Sequence, residues 1–365
     1  MKRIMVLANN SVGLLQFRGL LLRKLAENYE IIVVCPNGKR IKELQTFGCQ
    51  LISVEIDRRG MNPKRDFALF WAIYRVLKKE KPDFVITYTI KPNLYGCAAA
   101  RLLHIPYAAN VTGLGTVFER GGLLKRLIVT MYRYSLKKAD VVFFENSANR
   151  DIFVREKIIP QTKTCVLHGA GVSLEKFRLL PYPSENTPVR FLFMGRIMRE
   201  KGIEELLSAT QKLVREGYPC VLDVLGGYEE NYQNKLNEYE KDGWLFYHGF
   251  QENVVPFIQT AHCFVLPSWH EGMANTNLEC AASGRPVITS NIPGCREAVI
   301  EGVSGLLCEP KNAESLYSSM KKVLQLSCEE RREMGVEGRR HMEEVFDKKK
   351  VVEETIRYLR LENSF

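Results

Sequence analysis

The chain has 365 residues, 45% of them hydrophobic and 26% charged, proportions that exclude a disordered chain or a fibrous repeat. At roughly 100–200 residues per domain, this length predicts two domains, each able to bury its own core. The formal net charge of +10 is unevenly spread, with a net of +16 over residues 1–180 and −6 over residues 181–365, so a polyanionic or membrane-surface partner is the first candidate.

Along the chain, short apolar runs alternate with helix-length segments. In the first half the runs 4–7, 31–35, 51–54, 84–87, 107–110, 141–144 and 164–167 predict strands. Segments 17–26, 41–47, 67–79, 94–103, 123–137 and 148–155 predict the helices between them. The stretch 180–188 holds three prolines without periodicity and predicts a linker. A second alternation follows, with strands expected at 191–194, 221–225, 245–248, 263–266, 287–289 and 305–308. Its expected helices are 203–215, 231–241, 254–260, 275–282 and 313–326, and a charged helical stretch, 329–361, closes the chain. This rhythm predicts an α/β protein of two doubly wound Rossmann-like domains facing each other across a cleft. The boundaries expected are 1–180, a 181–189 linker, 190–345, and a C-terminal helix, 346–365, crossing back to the first domain.

Several chemistries are excluded. The ten Cys, from 35 to 328, contain no Cys-x-x-Cys pair and lie mostly in apolar runs, so they predict free core thiols in a reducing compartment. The six His lack metal-ligand spacing. The first eight residues predict a strand rather than a signal-peptide core, and no stretch approaches the roughly 18 apolar residues that span a bilayer. The turn after the first strand, Asn9 to Gly13, holds one glycine, and Gly113-Leu114-Gly115-Thr116-Val117-Phe118 ends in Phe, so no dinucleotide fingerprint is complete. No Walker A pattern and no Asp-x-Asp occurs, which predicts a site without metal or cofactor.

Two constellations in the second half carry chemistry. Gly195-Arg196-Ile197-Met198-Arg199-Glu200-Lys201-Gly202 follows a strand and precedes a helix. Glycine lets backbone approach a ligand, while Arg196 and Lys201 supply cations for a diphosphate. A basic solvated loop would read the same way. After Pro267-Ser268 comes Glu271-Gly272-Met273-Ala274-Asn275-Thr276-Asn277-Leu278-Glu279. Its two carboxylates straddle a strand–helix junction and suit the hydroxyls of a sugar and a ribose. A helix-start charge plus a surface Glu is the plain alternative.

In combination, these motifs resemble the donor-binding domain of retaining glycosyltransferases of the GT-B fold, glycosyltransferase family 4. Ala281-Ala282-Ser283-Gly284-Arg285-Pro286, Pro293-Gly294-Cys295-Arg296-Glu297 and Gly302-Val303-Ser304-Gly305 are similar to that family too. The resemblance implies that Arg196, Lys201 and Glu271 are the catalytic groups. Gly195, Gly272, Met273, Ala274, Asn275, Glu279 and, from the first half, Gly13 would complete the donor site. It implies a UDP-sugar donor, retention through an oxocarbenium-like state, and no metal.

First-half pieces resemble members that act on lipid-linked sugars, such as bacterial N-acetylhexosaminyltransferases extending a polyprenyl-diphosphate glycan. These are Phe17-Arg18, the run from Thr89 through Lys91-Pro92-Asn93 to Gly96, and Asn110 to Gly115. Arg18, Lys91, Asn93 and Thr112 would bind the lipid-diphosphate-linked acceptor. Many family members place a His after the fifth strand, where this chain has Asn110 and Thr112; His104 and His168 are expected to be structural. The segment 121–138, with Leu124, Leu127, Ile128, Met131 and Leu136 broadly on one face and basic residues elsewhere, fits a helix lying on an anionic membrane surface. Arg58-Arg59 and Lys64-Arg65 flank Met61 in a loop that could dip in similarly. The expected location is therefore cytoplasmic, peripheral to the inner face of the plasma membrane. A soluble or protein acceptor, or a sugar-nucleotide epimerase on the same fold, are the competing readings. Nucleic-acid binding is not expected, because the βα layout buries its sheets.

Overall fold

The computed structural model describes residues 1–38, 41–57, 62–115, 118, 122–185 and 188–361. Arg58, Arg59, Met61, Thr116, Val117, Gly121, Asn186 and Thr187 lie outside the described residues. Two compact units form, one from residues 1–170 with the chain's end from 349 onward, the other from residues 171–348.

The first unit holds seven strands: β1 Arg3–Leu7, β2 Glu30–Cys35, β3 Gln50–Ser53, β4 Phe84–Tyr88, β5 Tyr107–Val111, β6 Val141–Phe144 and β7 Thr164–Val166. They pair in parallel in the order β3-β2-β1-β4-β5-β6-β7. Strand side chains alternate between two cores. Ile4 and Val6 join helices Ser11–Ala26 and Lys348–Leu359 on one face, while Met5 and Leu7 join helices Pro63–Glu80, Cys97–Leu102 and Gly122–Leu136 on the other. Helices on both faces explain why the central strands read as unbroken apolar runs. The order reverses between β1 and β4, where a doubly wound sheet leaves a crevice beyond the strand C-termini.

The second unit has six strands: β8 Val189–Met194, β9 Cys220–Leu225, β10 Leu245–Tyr247, β11 Cys263–Leu266, β12 Val287–Ser290 and β13 Gly305–Cys308. Their parallel order is β10-β9-β8-β11-β12-β13, so the switch point falls between β8 and β11. All thirteen expected strands are present.

Helix starts and breaks differ from the periodicity for local reasons. The first helix begins at Ser11 rather than 17 because the Asn10 side chain accepts from the Val12 amide at 3.1 Å. Asn62 caps Pro63–Glu80 in the same way, through the amides of Lys64 and Arg65. The segment expected as one helix at 94–103 opens with a π-helical turn, Pro92–Gly96, and the closing stretch is two helices, Cys328–Val345 and Lys348–Leu359. The chain passes from one unit to the other at Gly171, ahead of the proline-rich segment. Arg285 holds the start of that segment, donating to the carbonyls of Leu180 and Pro181 at 3.3 and 2.7 Å.

Candidate active site

The second unit's switch point brings the two sequence constellations together. The loop leaving β8 runs from Gly195 to Gly202, and the loop leaving β11 runs through Pro267, Ser268 and Trp269 to Glu271. Backbone meets backbone here. A Cβ on Gly202, whose φ is +73°, would stand 2.0 Å from the Pro267 carbonyl oxygen. The carbonyl of Glu200 accepts from the Trp269 amide at 2.9 Å and from Ser268 Oγ at 3.2 Å. With the loops fastened, Lys201 Nζ donates to Glu271 Oε1, and both side chains are largely buried. His270 Nε2 lies 3.2 Å from Glu200 Oε2, so adjacent residues of the two loops pair in register. Arg196 stays more open, with Nη1 3.5 Å from Glu229 Oε2.

Two glycines shape this corner: Gly226, which sequence reasoning missed, and Gly294, which it read only as part of a motif. Gly226 follows β9 at φ +144°, and a Cβ there would fall 1.7 Å from the Gly195 carbonyl oxygen. Gly294 has φ +86°, and its Cβ would lie 2.6 Å from the Gly272 carbonyl oxygen. The signal for Gly226 was legible: a Gly226-Gly227 pair directly after an apolar strand has the same form as Gly195 after β8.

The helix Asn275–Ala282 starts beside this pair without a side-chain cap. Of the amides expected to face the donor sugar, that of Ala274 already donates to the Gly294 carbonyl at 2.7 Å. Gly294 in turn donates its amide to Glu297 Oε2 at 2.7 Å. Met273 is buried, so only its backbone can serve a ligand. Asn275 Oδ1 is buried without a partner while its Nδ2 donates to the Met273 carbonyl, leaving an acceptor suited to a hydroxyl. Glu279 sits five residues into the helix, buried.

In the first unit the expected acceptor residues are not gathered as one open cationic site. Arg18 is 7% exposed and paired with Glu145 at 2.7 Å, its guanidinium lying over the Tyr88 ring. Lys91 donates to Asp66 Oδ1 at 2.7 Å, which cancels much of its charge. Burial, aided by the same Asp66, pushes the Tyr95 hydroxyl up to about 12. Asn93 is held against the sheet. It is 1% exposed, accepts from Thr87 Oγ1 at 2.7 Å and donates to the Asn110 carbonyl at 2.8 Å, so it staples β4 to β5. Thr112 follows β5 half-buried, and Gly13 lies in the first turn of the helix Ser11–Ala26. The sharpest feature is Thr89, a β-branched residue at φ +74° with its buried hydroxyl unpartnered, at the end of β4. Such strain clusters at functional sites; Thr89 opens the motif running to Gly96, yet sequence reasoning assigned it no role of its own.

Residues 3–146 match the family described as Glycosyl transferase 4-like, and residues 181–341 match Glycosyl transferases group 1. The chain is 29% identical over 341 residues to the N,N'-diacetylbacillosaminyl-diphospho-undecaprenol alpha-1,3-N-acetylgalactosaminyltransferase of Campylobacter jejuni, covering 88% of this chain and 89% of that one. It is 25% identical over 320 residues to the UDP-Gal:alpha-D-GlcNAc-diphosphoundecaprenol alpha-1,3-galactosyltransferase of Escherichia coli, covering 81% and 80%. Among solved structures, a glycosyltransferase from Rickettsia africae superposes with a TM-score of 0.80 at 18% identity over 98% of both chains. The two parallel sheets, each with its switch point, and these matches lead to one conclusion: the chain is a glycosyltransferase of the GT-B fold, its first half belonging to the 4-like family and its second to group 1.

Proposed function

We propose that the chain moves an N-acetylhexosamine from a UDP-sugar to a polyprenyl-diphosphate-linked saccharide, with retention and without a metal ion, in bacterial cell-surface glycan synthesis at the inner face of the plasma membrane. The observation that carries this reading is the Lys201–Glu271 pair at the second unit's switch point, a cation and a carboxylate delivered by two different βα loops. The names of two relatives, which act on undecaprenyl-diphosphate-linked sugars, support the acceptor class, and the galactosyltransferase, whose name specifies UDP-Gal, supports the donor class.

The pair has a mechanical consequence. An arriving diphosphate offers Lys201 a stronger partner, and the released Glu271 carboxylate then accepts hydroxyls of the donor sugar. As the bond from the anomeric carbon to the β-phosphate oxygen breaks, its electron pair moves onto the diphosphate, where Lys201 and Arg196 stabilise the charge. The acceptor hydroxyl oxygen bonds to the anomeric carbon and its proton leaves with the diphosphate. Glu279 holds the ribose, and Asn275 Oδ1 takes a further hydroxyl.

The test is a donor screen by nucleotide release, with and without a polyprenyl-diphosphate N-acetylhexosamine acceptor, followed by the anomeric configuration of the product. The expected result is acceptor-dependent UDP release that Glu271→Gln lowers by ~100-fold, with an axial linkage from an α-linked donor. A donor sugar changed in configuration with no acceptor present would make the chain an epimerase instead.

A further inference from the structure

A cavity of about 750 Å³ opens in the first unit, away from its crevice. Three neighbouring strands start at its border: Tyr107 opens β5, Asp140 and Val141 lead into β6, and Lys163 and Thr164 lead into β7. In a parallel sheet the crevice lies beyond the opposite, C-terminal strand ends. The length of a five-residue strand, roughly 15 Å, therefore separates the two. Tyr358, Leu359 and Arg360, at the end of the last helix, form another side. None of the expected donor or acceptor residues lines this cavity.

Its lining is strongly basic. Arg101, Lys138, Lys163 and Arg360 bring permanent charge, with His104 beside them, against the single carboxylate of Asp140 among the described lining residues. Two of these cations are held in place. Arg101 donates to the Tyr134 carbonyl, with its guanidinium carbon 4.1 Å from the centre of that ring. Lys163 Nζ donates to the Ala139 carbonyl at 2.9 Å. Each has further N–H groups to offer a ligand.

Local demands absorb part of this charge, and the remainder selects the ligand. Helices Cys97–Leu102, Gly122–Leu136 and Lys348–Leu359 all end beside the cavity. Each C-terminus brings about half a negative charge, so with Asp140 the total is roughly −2.5 against four cations. The excess, about +1.5, matches a phosphate monoester, which carries about −1.5 to −2 near neutral pH. The rest of the lining is not charged. Ile105, Val141 and Leu359 are apolar, and Tyr358, 38% exposed, offers a ring. The volume falls within the roughly 300–1,000 Å³ of small-molecule sites, far more than a bare phosphate fills. A phosphate carried on a compact ring satisfies both parts of the lining.

We propose that this cavity is a second binding site, for a phosphate monoester of a sugar or a nucleoside, with Arg101, Lys138, Lys163 and Arg360 around the phosphate and Tyr358 against the ring. Its ligand is bound without being consumed, because no group assigned to the transfer lines the cavity.

The experiment is calorimetric titration of the full chain with glucose-1-phosphate, uridine monophosphate and inorganic phosphate. One ester is expected to bind at a single site more tightly than inorganic phosphate, and which ester it is tells a sugar source from a nucleoside one. Lys138→Glu with Arg360→Glu should weaken that binding about tenfold or more at unchanged melting temperature. Lys78→Glu with Lys79→Glu, exposed on helix Pro63–Glu80, makes the same change in net charge and should leave binding as in wild type. Tyr358→Ala should remove the advantage of the ester over inorganic phosphate. Lys201→Ala separates this cavity from the candidate donor site, and ester binding should survive it. The proposal is overturned by the absence of saturable ester binding, by esters no tighter than inorganic phosphate, or by an ester advantage that Tyr358→Ala leaves intact. Equal loss in the two charge-reversed variants, or loss in Lys201→Ala with retention in Lys138→Glu with Arg360→Glu, overturns it as well.

Discussion

Lys201 and Glu271, 70 residues apart in sequence, share a hydrogen-bonded ion pair at the point where the second sheet reverses its strand order. Each side chain alone is an unremarkable loop charge. Together they form a neutral, largely buried pair, which under the proposed function a diphosphate and a sugar would open.

Removing either partner should cost catalysis more than folding. We expect Lys201→Ala to lower kcat by ~100-fold, about 3 kcal/mol, the scale seen when one stabilising donor is lost from a developing negative charge. Glu271→Gln should fall comparably, and the double variant should lose far less than the sum, because the two act as one unit. Acceptor-dependent UDP release reads all three; strict additivity would mean that the residues work independently.

Gly226 tests whether the backbone itself is part of the donor site. A methyl at Gly226 would meet the Gly195 carbonyl at 1.7 Å, so Gly226→Ala must displace the loop that carries Arg196. UDP affinity by calorimetry is expected to drop by about tenfold, roughly 1.4 kcal/mol. Gly227→Ala, where a Cβ meets nothing within 4 Å, should leave affinity unchanged.

Asn93 should behave as a staple. Asn93→Ala removes the bonds to the Asn110 carbonyl and the Thr87 hydroxyl, the hydroxyl keeping Cys97 Sγ at 3.2 Å, and should cost about 1–3 kcal/mol of stability by urea unfolding. The acceptor KM of whatever remains folded should not move. A raised KM at unchanged stability would restore Asn93 to the acceptor site.

Acidification should destabilise the second unit through His262. Burial pushes its imidazole below the ordinary value, and Nδ1 accepts from the Arg190 amide at 3.1 Å, which requires the neutral ring. Below about pH 6.5 the unfolded chain takes up a proton that the native state refuses, so stability is complete above that pH and falls as pH drops through it. Urea midpoints for wild type and His262→Gln should diverge most above about pH 6.5 and converge on acidification.

Thiol chemistry gives a simple check of the core. Nine of the ten cysteines are buried, and burial pushes Cys35 and Cys49 up to about 11 and Cys97, Cys165 and Cys308 to about 12. A thiol reagent should therefore react with Cys328 alone in the native protein and with all ten after denaturation.

How much was legible follows from the range of the forces. The thirteen strands could be read because a strand covered on both faces must be apolar along its whole length, a local property of sequence. Helix starts at Ser11 and Pro63 escaped periodicity because they depend on single capping side chains, Asn10 and Asn62. The two motifs that meet at the second unit's switch point were legible as glycine and charge after a strand. The burial of Asn93 was not legible because its motif position says nothing about which way the side chain turns.

By itself, then, the sequence determined the two α/β repeats, the unequal charge of the two halves, and the residue types available after each strand. The tertiary structure alone decided which of those residues meet. Strand order puts β8 beside β11 and so Lys201 against Glu271; it also turns Phe67, Trp71, Leu123 and Leu127 outward while Leu69, Ile73 and Val129 fill the core. The reason is physical: burial and backbone pairing select a face and a neighbour only once the sheet exists, and no local pattern carries that information.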